Sequence, residues 1–233
     1  MRFHRFYINT PISGDTFDIT DRDLIHQWRS VFRYNVGSQV ILFDGSGIDY
    51  LCMITSLRNL GATVSIIKKT KIGEVISRKN IWLCIALIKK DNFELVVQKA
   101  TELGANHIVP IICEHSEKKK LKMDRMQKIT IEASEQSGRG SVPTIHEVVS
   151  LQEVLQSNIL PNEKLVFHIG SEKLKIESYK EIQEIALFIG PEGGFSDKEI
   201  ALFKSYNIPT VSLGTQILRA ETAAIAVASL LLL

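Results

Sequence analysis

The chain has 233 residues, of which 45% are hydrophobic and 23% charged, with a formal net charge of +2. That is long enough to bury a core without a metal or disulfide staple, and the composition excludes a disordered or fibrous chain. Cys52, Cys84 and Cys113 are odd in number and form no CxxC pair, which argues against a disulfide framework or a zinc site. They read as buried thiols of a reducing, cytoplasmic protein. Residues 1–6 lack the apolar stretch of a secretion signal, and the apolar run 222–233 falls well short of the roughly 20 residues that span a bilayer. No membrane association is expected.

From the first residue to Ile72 the chain reads as short strands. Apolar or alternating runs at 2–8, 39–43, 48–57 and 62–68 are separated by Asp44-Gly45-Ser46-Gly47 and Asn59-Leu60-Gly61. One helix is expected over 21–33. Short strands, tight turns and one helix predict a small β-barrel. This part carries nine Lys/Arg against six Asp/Glu, a net +3.

The rhythm changes near 73–79. Strands are expected at 81–88, 107–113, 164–169, 185–189 and 210–213. Helices are expected at 91–103, 123–137, 196–206 and 221–232. Strands alternating with helices predict a parallel sheet with helices on both faces. The division is therefore 1–72 and 73–233. The second part has nineteen Lys/Arg and twenty Asp/Glu, yet residues 115–128 hold Lys118, Lys119, Lys120, Lys122, Arg125 and Lys128 against Glu117 and Asp124. A positive front and a positive loop suit a polyanion, although a solvated loop has the same composition.

Three stretches carry chemistry. Ile189-Gly190-Pro191-Glu192-Gly193-Gly194-Phe195-Ser196 joins a strand to a helix. Ser196 and Glu199 have capping-box spacing, and the glycines permit close approach of backbone to a ligand. In open parallel sheets, ligands bind at the carboxyl ends of the strands, where this loop belongs. It matches neither phosphate-cradling glycine motif. A tight turn with no ligand is the competing reading. The next strand is followed by Leu213-Gly214-Thr215-Gln216-Ile217-Leu218-Arg219-Ala220-Glu221-Thr222, which puts Arg219 and Glu221 at the start of the last helix. Glu221 also suits the positive end of a helix dipole for purely structural reasons. The third stretch, Glu132 to Arg139, ends a helix at Gly138 and projects Arg139 from a loop. The six histidines show no HxxxH or HExxH spacing, so no metal site is expected.

Together these motifs resemble the ribosomal RNA small-subunit (16S) uridine N3-methyltransferases, the RsmE family of the SPOUT superfamily. The carrying residues are Gly190-Pro191-Glu192-Gly193-Gly194-Phe195, and Leu213-Gly214 with Ile217-Leu218-Arg219-x-Glu221-Thr222-Ala223. Lys99 to Gly104, Glu132-Ala133 with Glu135 to Arg139, Val142-Pro143, and His26 with Val31, Arg33 and Gly37 extend the resemblance along nearly the whole chain. The family commonly has Arg where His115 and Gln216 stand, Leu where Phe32 stands and Asp where Ser38 stands.

The resemblance implies a PUA-like or OB-like barrel before an α/β domain with a trefoil knot of the SPOUT type. It implies S-adenosylmethionine as cofactor, held by Gly190, Pro191, Glu192, Gly193, Gly194, Leu213, Gly214, Ile217 and Leu218. It implies methylation of uracil N3 in 16S ribosomal RNA or the small ribosomal subunit, with Arg219 and Glu221 as catalytic residues. Arg5, Arg33, Lys118, Lys119, Lys120 and Arg139 are expected to contact RNA, and a homodimer is expected to use the last helix. His115 and Gln216 are expected to weaken an RNA or cofactor contact. Competing readings are a SPOUT methyltransferase for another RNA, a non-catalytic RNA-binding or ribosome-assembly factor, and a small-molecule nucleotide enzyme, the last disfavoured by the positive front.

Overall fold

The structure is a computed structural model that describes residues 3–72, 79–117 and 121–233. The chain divides into two units. The first takes residues 1–75 with 134–141, and the second takes 76–133 with 142–233. The return of 134–141 to the first unit has no counterpart in the division read from composition.

In the first unit the strands are β1 (Arg5–Tyr7), β2 (Thr16–Ile19), β3 (Gln39–Phe43), β4 (Ile48–Arg58) and β5 (Gly61–Lys71). They form one sheet in the order β1-β3-β4-β5-β2, antiparallel except for β1 beside β3. Among the described residues β1 and β2 are its two edges, so the expected barrel takes the form of a five-stranded sheet. The expected helix is α1 (Arg22–His26) followed by a π-helical turn over Gln27–Val31. Asp21 starts it by accepting from the amides of Asp23 and Leu24. Alternate residues of β3 and β4, including Val40, Leu42, Cys52 and Ile54, are buried with Phe6 and Trp28. Each large side chain among them contributes about 1.5–3 kcal/mol by leaving water. Strand β2 was not expected, because an edge strand reading Thr-Phe-Asp-Ile carries no apolar run.

The second unit contains β6 (Asn80–Ala86), α2 (Lys90–Leu103), β7 (His107–Ile112) and α3 (Met123–Ser137), the last four residues of which count with the first unit. Then follow β8 (Thr144–Ile145), β9 (Val149–Ser150), α4 (Leu151–Gln156), β10 (Lys164–Phe167), β11 (Glu184–Ile189), α5 (Asp197–Ser205), β12 (Thr210–Val211) and α6 (Ala220–Leu232). The sheet runs β12-β10-β11-β6-β7-β8, with β9 also on β7, and every pairing is parallel. The parallel α/β expectation therefore holds. The central strands are apolar on both faces and separate two cores. One lies under α2 and α6, the other under α4 and α5. Gly104 ends α2 with φ 115°, the left-handed cap that its position after Leu103 implies.

All three cysteines are unbridged and buried. Burial raises the Cys52 thiol to about 12 and pushes Cys84 and Cys113 up as well. Among the described residues, no helix is long and apolar enough to cross a membrane.

Candidate cofactor and RNA sites

The carboxyl ends of β10, β11 and β12 open onto a cavity of about 400 Å³. All nine residues expected to hold a cofactor line it: Gly190 to Gly194 from the β11–α5 loop, and Leu213, Gly214, Ile217 and Leu218 from the β12–α6 loop. The two loops are brought together because β11 and β12 both pair with β10. Ile217 is 79% exposed, an apolar side chain held in water at the cavity wall.

Local geometry explains the glycines. The amide of Gly194 donates to the carbonyl of Pro191 at 2.8 Å and closes a turn with Gly194 at φ +71°. A Cβ on Gly190 would stand 3.2 Å from Phe195, and one on Gly193 would stand 3.1 Å from His115. The predicted capping box is present: Ser196 Oγ accepts from Glu199 N, and Glu199 Oε2 accepts from Ser196 N. The other oxygen of Glu199 accepts from Glu114 N at 2.9 Å, which ties the segment after β7 to the cavity loop. His115 Nδ1–H donates to the Gly194 carbonyl at 3.1 Å. His115 is thus a support of this loop.

Sequence reading missed Phe167, His168 and Ile169, which line the cavity from the end of β10. The signal was available: in a parallel sheet, three adjacent strand ends share one ligand face. Gln216, noted only as a departure, also lines the cavity.

Arg219 is the N-cap residue of α6, exposed between Leu218 and Ala220. Its guanidinium makes no hydrogen bond or ion pair among the described residues. Glu221 lies in the first turn of α6, 8% exposed, and its Oε2 is buried without a hydrogen-bond partner among the described residues. Arg219 and Glu221 do not form a salt bridge.

The expected RNA contacts separate into three groups. Lys118, Lys119 and Lys120 lie outside the described residues. Arg33 is exposed and holds a left-handed backbone at φ 55°, rare for a residue with a side chain. Arg5 and Arg139 are turned inward instead. Arg5 pairs with Asp49 through Nε at 3.1 Å and Nη2 at 2.7 Å, and donates to the carbonyls of Ser134, Glu135 and Arg139. It also lies 4.4 Å from the centre of the Phe43 ring. It serves as a C-terminal cap for α3, satisfying carbonyls that the helix leaves open. Arg139 is 3% exposed, and burial lowers its pKa to about 10. In the single chain the Arg5 guanidinium is thus engaged within the first unit, and the Arg139 side chain is buried.

Among the described residues, no group of three or more His, Cys, Asp or Glu side chains is arranged to hold a metal.

The chain matches the model of an RNA methyltransferase domain over residues 76–232 and that of an RNA methyltransferase PUA domain over 29–67. It is 32% identical over 232 residues to the ribosomal RNA small subunit methyltransferase E of Rickettsia conorii, covering 97% of this chain and 93% of that protein. It is 31% identical over 223 residues to the protein of the same name from Bacillus subtilis, covering 89% and 86%. A solved ribosomal RNA small subunit methyltransferase E from Neisseria gonorrhoeae, bound to S-adenosyl methionine, superposes with a TM-score of 0.88 at 30% identity, covering 98% of this chain and 96% of that one. A methyltransferase from Legionella pneumophila with bound SAM gives a TM-score of 0.90 at 31% identity, covering 99% and 97%.

Proposed function

The chain belongs to the ribosomal RNA small subunit methyltransferase E family, and on that premise we propose that it methylates N3 of one uridine in 16S ribosomal RNA with S-adenosylmethionine. The observation that carries this reading is the convergence of two glycine-bearing loops on one cavity at the carboxyl ends of β10, β11 and β12. The cavity fits the cofactor. Its wall is the backbone of the two loops, with open space where a Cβ would stand at Gly194 and Gly214, and with apolar patches from Phe167, Ile189, Leu213 and Leu218. Backbone amides and carbonyls of the two loops would hold the cofactor's polar groups, and the apolar patches would hold its apolar parts. When bound, S-adenosylmethionine supplies an electrophilic methyl group on its sulfonium.

The chain's own residues handle the proton and the charge. Uracil N3 ionises roughly two units above neutral pH, so holding its anion costs at least about 2.7 kcal/mol. Arg219, without a side-chain partner among the described residues and at the positive end of α6, lowers that cost. Glu221 is the acidic residue of the first turn of α6, and its open Oε2 is the acceptor assigned to the departing proton. Ala220 and Ala223 of the same helix line the cavity, next in the chain to Arg219 and Glu221, which are not among its lining residues. The N3 edge is a pairing edge, so the base has to be unpaired when it enters.

Arg33 and Lys118 to Lys120 are assigned to RNA phosphates. A homodimer through α6 is supported by an apolar second face, with Ala223, Ile225 and Ala226 half-buried and Leu230 exposed. A ribosomal substrate supports a cytoplasmic site of action.

The test is to incubate the protein with S-adenosylmethionine and unmethylated small ribosomal subunits, then to analyse the nucleosides by mass spectrometry. New 3-methyluridine at one site is expected. A different methylated nucleoside would overturn the N3 assignment. Cofactor binding without any methylation would overturn the substrate.

A further inference from the structure

The cavity wall at Gly193 and Gly194 depends on support from outside its own loop. Glycine backbone rotates more freely than any other, and Gly194 uses that freedom at φ +71°. The three heavy atoms nearest a Cβ on Gly193 all belong to His115, and the Gly194 carbonyl accepts from the same ring at 3.1 Å. His115 is itself exposed, so core packing does not fix its ring. An imidazole has few side-chain torsions, so the backbone beneath it decides what the ring can reach.

That backbone is the turn 113–116, which follows β7. The Cys113 amide donates to Ser116 Oγ at 2.9 Å, and the Ser116 amide donates to the Cys113 carbonyl at 3.1 Å. The Glu117 amide fastens the far end to the Leu87 carbonyl at 2.9 Å. The remaining tie comes from α5. Glu199 Oε1 accepts from the amide of Glu114, the residue before His115, at 2.9 Å. Its Oε2 accepts from the amide of Ser196, at the end of the cavity loop, at 2.8 Å. One carboxylate therefore grips the cavity loop and the turn that supports it. Bonds from backbone amides to a charged carboxylate are about twice as strong as neutral ones. The Cys113 thiol senses the same neighbour: burial, and then the Glu199 charge, push it up. A capping box needs only one carboxylate oxygen, so the bond to Glu114 is surplus to starting the helix. Glu199 is not among the residues that line the cavity.

We propose that Glu199 is a positioning residue for S-adenosylmethionine: it fixes the 113–116 turn, keeps His115 beneath Gly193 and Gly194, and so sets the wall that the cofactor meets. This role rests on the cofactor reading of the cavity and not on which nucleotide is methylated.

The test is isothermal titration calorimetry of S-adenosylmethionine into the full chain. E199Q keeps the size of the side chain but leaves one acceptor oxygen for two amides, so the Kd is expected to rise about tenfold. H115A removes the ring and should raise the Kd by a similar factor. In the E199Q/H115A double variant the two losses should not multiply, because Glu199 has no ring left to place. A carboxylate that served only to cap α5 would lower the melting temperature, and any effect on Kd would multiply with that of H115A. S116A is the second variant. It loosens the same turn without touching α5 and should raise the Kd about threefold. Thermal melting confirms that each protein is folded. A Kd within twofold of the unsubstituted chain in E199Q or S116A would overturn the proposal, as would full multiplication in the double variant. Absence of binding by the unsubstituted chain would instead overturn the cofactor reading, and this role with it. None of these readouts needs RNA, so failure to form 3-methyluridine counts only against the reaction proposed above.

Discussion

His115 sits directly beneath the cavity loop: its Nδ1–H meets the Gly194 carbonyl at 3.1 Å, and its side chain occupies the space that a Cβ on Gly193 would need. The family commonly has Arg at this position, yet here the imidazole still buttresses the loop. Gly193→Ala is therefore expected to raise the Kd for S-adenosylmethionine about tenfold, or ~1.4 kcal/mol. In the double variant with His115→Gly, which removes the Cβ that stands nearest at 3.1 Å, the extra methyl has room, and the two effects should be less than additive. Isothermal titration calorimetry on the four proteins completes the cycle. Strict additivity would show that the two residues do not touch in solution.

Arg219 carries the charge-stabilising role in the proposed reaction, and its side chain has no hydrogen-bond or ion-pair partner among the described residues to lose. Arg219→Ala is expected to lower kcat by about 100-fold or more, the scale of removing one preorganised donor. Cofactor affinity should stay within about tenfold. Glu221→Gln should likewise act on kcat, and its loss should shrink as pH rises and the uracil ionises unaided. A loss of cofactor binding in Arg219→Ala would move this residue out of the catalytic role.

Arg5 joins Asp49, Phe43 and the end of α3. Its side chain is only 11% exposed. Removing it strands Asp49 and several carbonyls, so Arg5→Ala should cost about 3–5 kcal/mol in urea unfolding. Arg5→Lys should recover little, because an ammonium cannot reproduce the fork. Unchanged stability combined with weakened RNA binding would return Arg5 to the RNA surface.

Acid should weaken the second unit through His107 and His146. Their rings share a 3.1 Å contact between Nδ1 and Nε2, and Trp82 stacks on His107 at 3.7 Å. Burial, then the His146 charge, lowers His107 to about 4, with Glu184 opposing, and burial lowers His146 as well. The folded state therefore binds these protons less readily than the unfolded chain. Stability is complete above the ordinary histidine value near 6.5 and declines as pH falls toward about 4. The urea midpoint should drop between pH 7 and pH 4.5, and His107→Asn should flatten that dependence. A parallel decline in the variant would place the acid sensitivity elsewhere.

Local rules made much of this molecule legible. The bounds of α3, the cap at Gly104 and the Ser196–Glu199 box follow from spacing, whereas the nine residues expected to hold a cofactor came from the resemblance to a family. Strands β8 and β9 have two residues each, too short for any period to register. The packing of His115 under Gly193 joins positions far apart in the chain, where neither propensity nor spacing speaks. The inward packing of Arg5 and Arg139 was not legible for a physical reason: isolated arginines in a basic context look like phosphate ligands, whereas carbonyls at a helix end and a buried interior compete for the same guanidinium.

The three sequestered thiols give the chain a practical property. Each is shielded and kept in its unreactive, protonated form by burial. A maleimide dye or spin label will therefore find no native attachment point in the folded protein. One cysteine placed at Gln136 or Ile217 would then mark a single address, and distances to a labelled RNA could be read without first stripping the natural cysteines from the core.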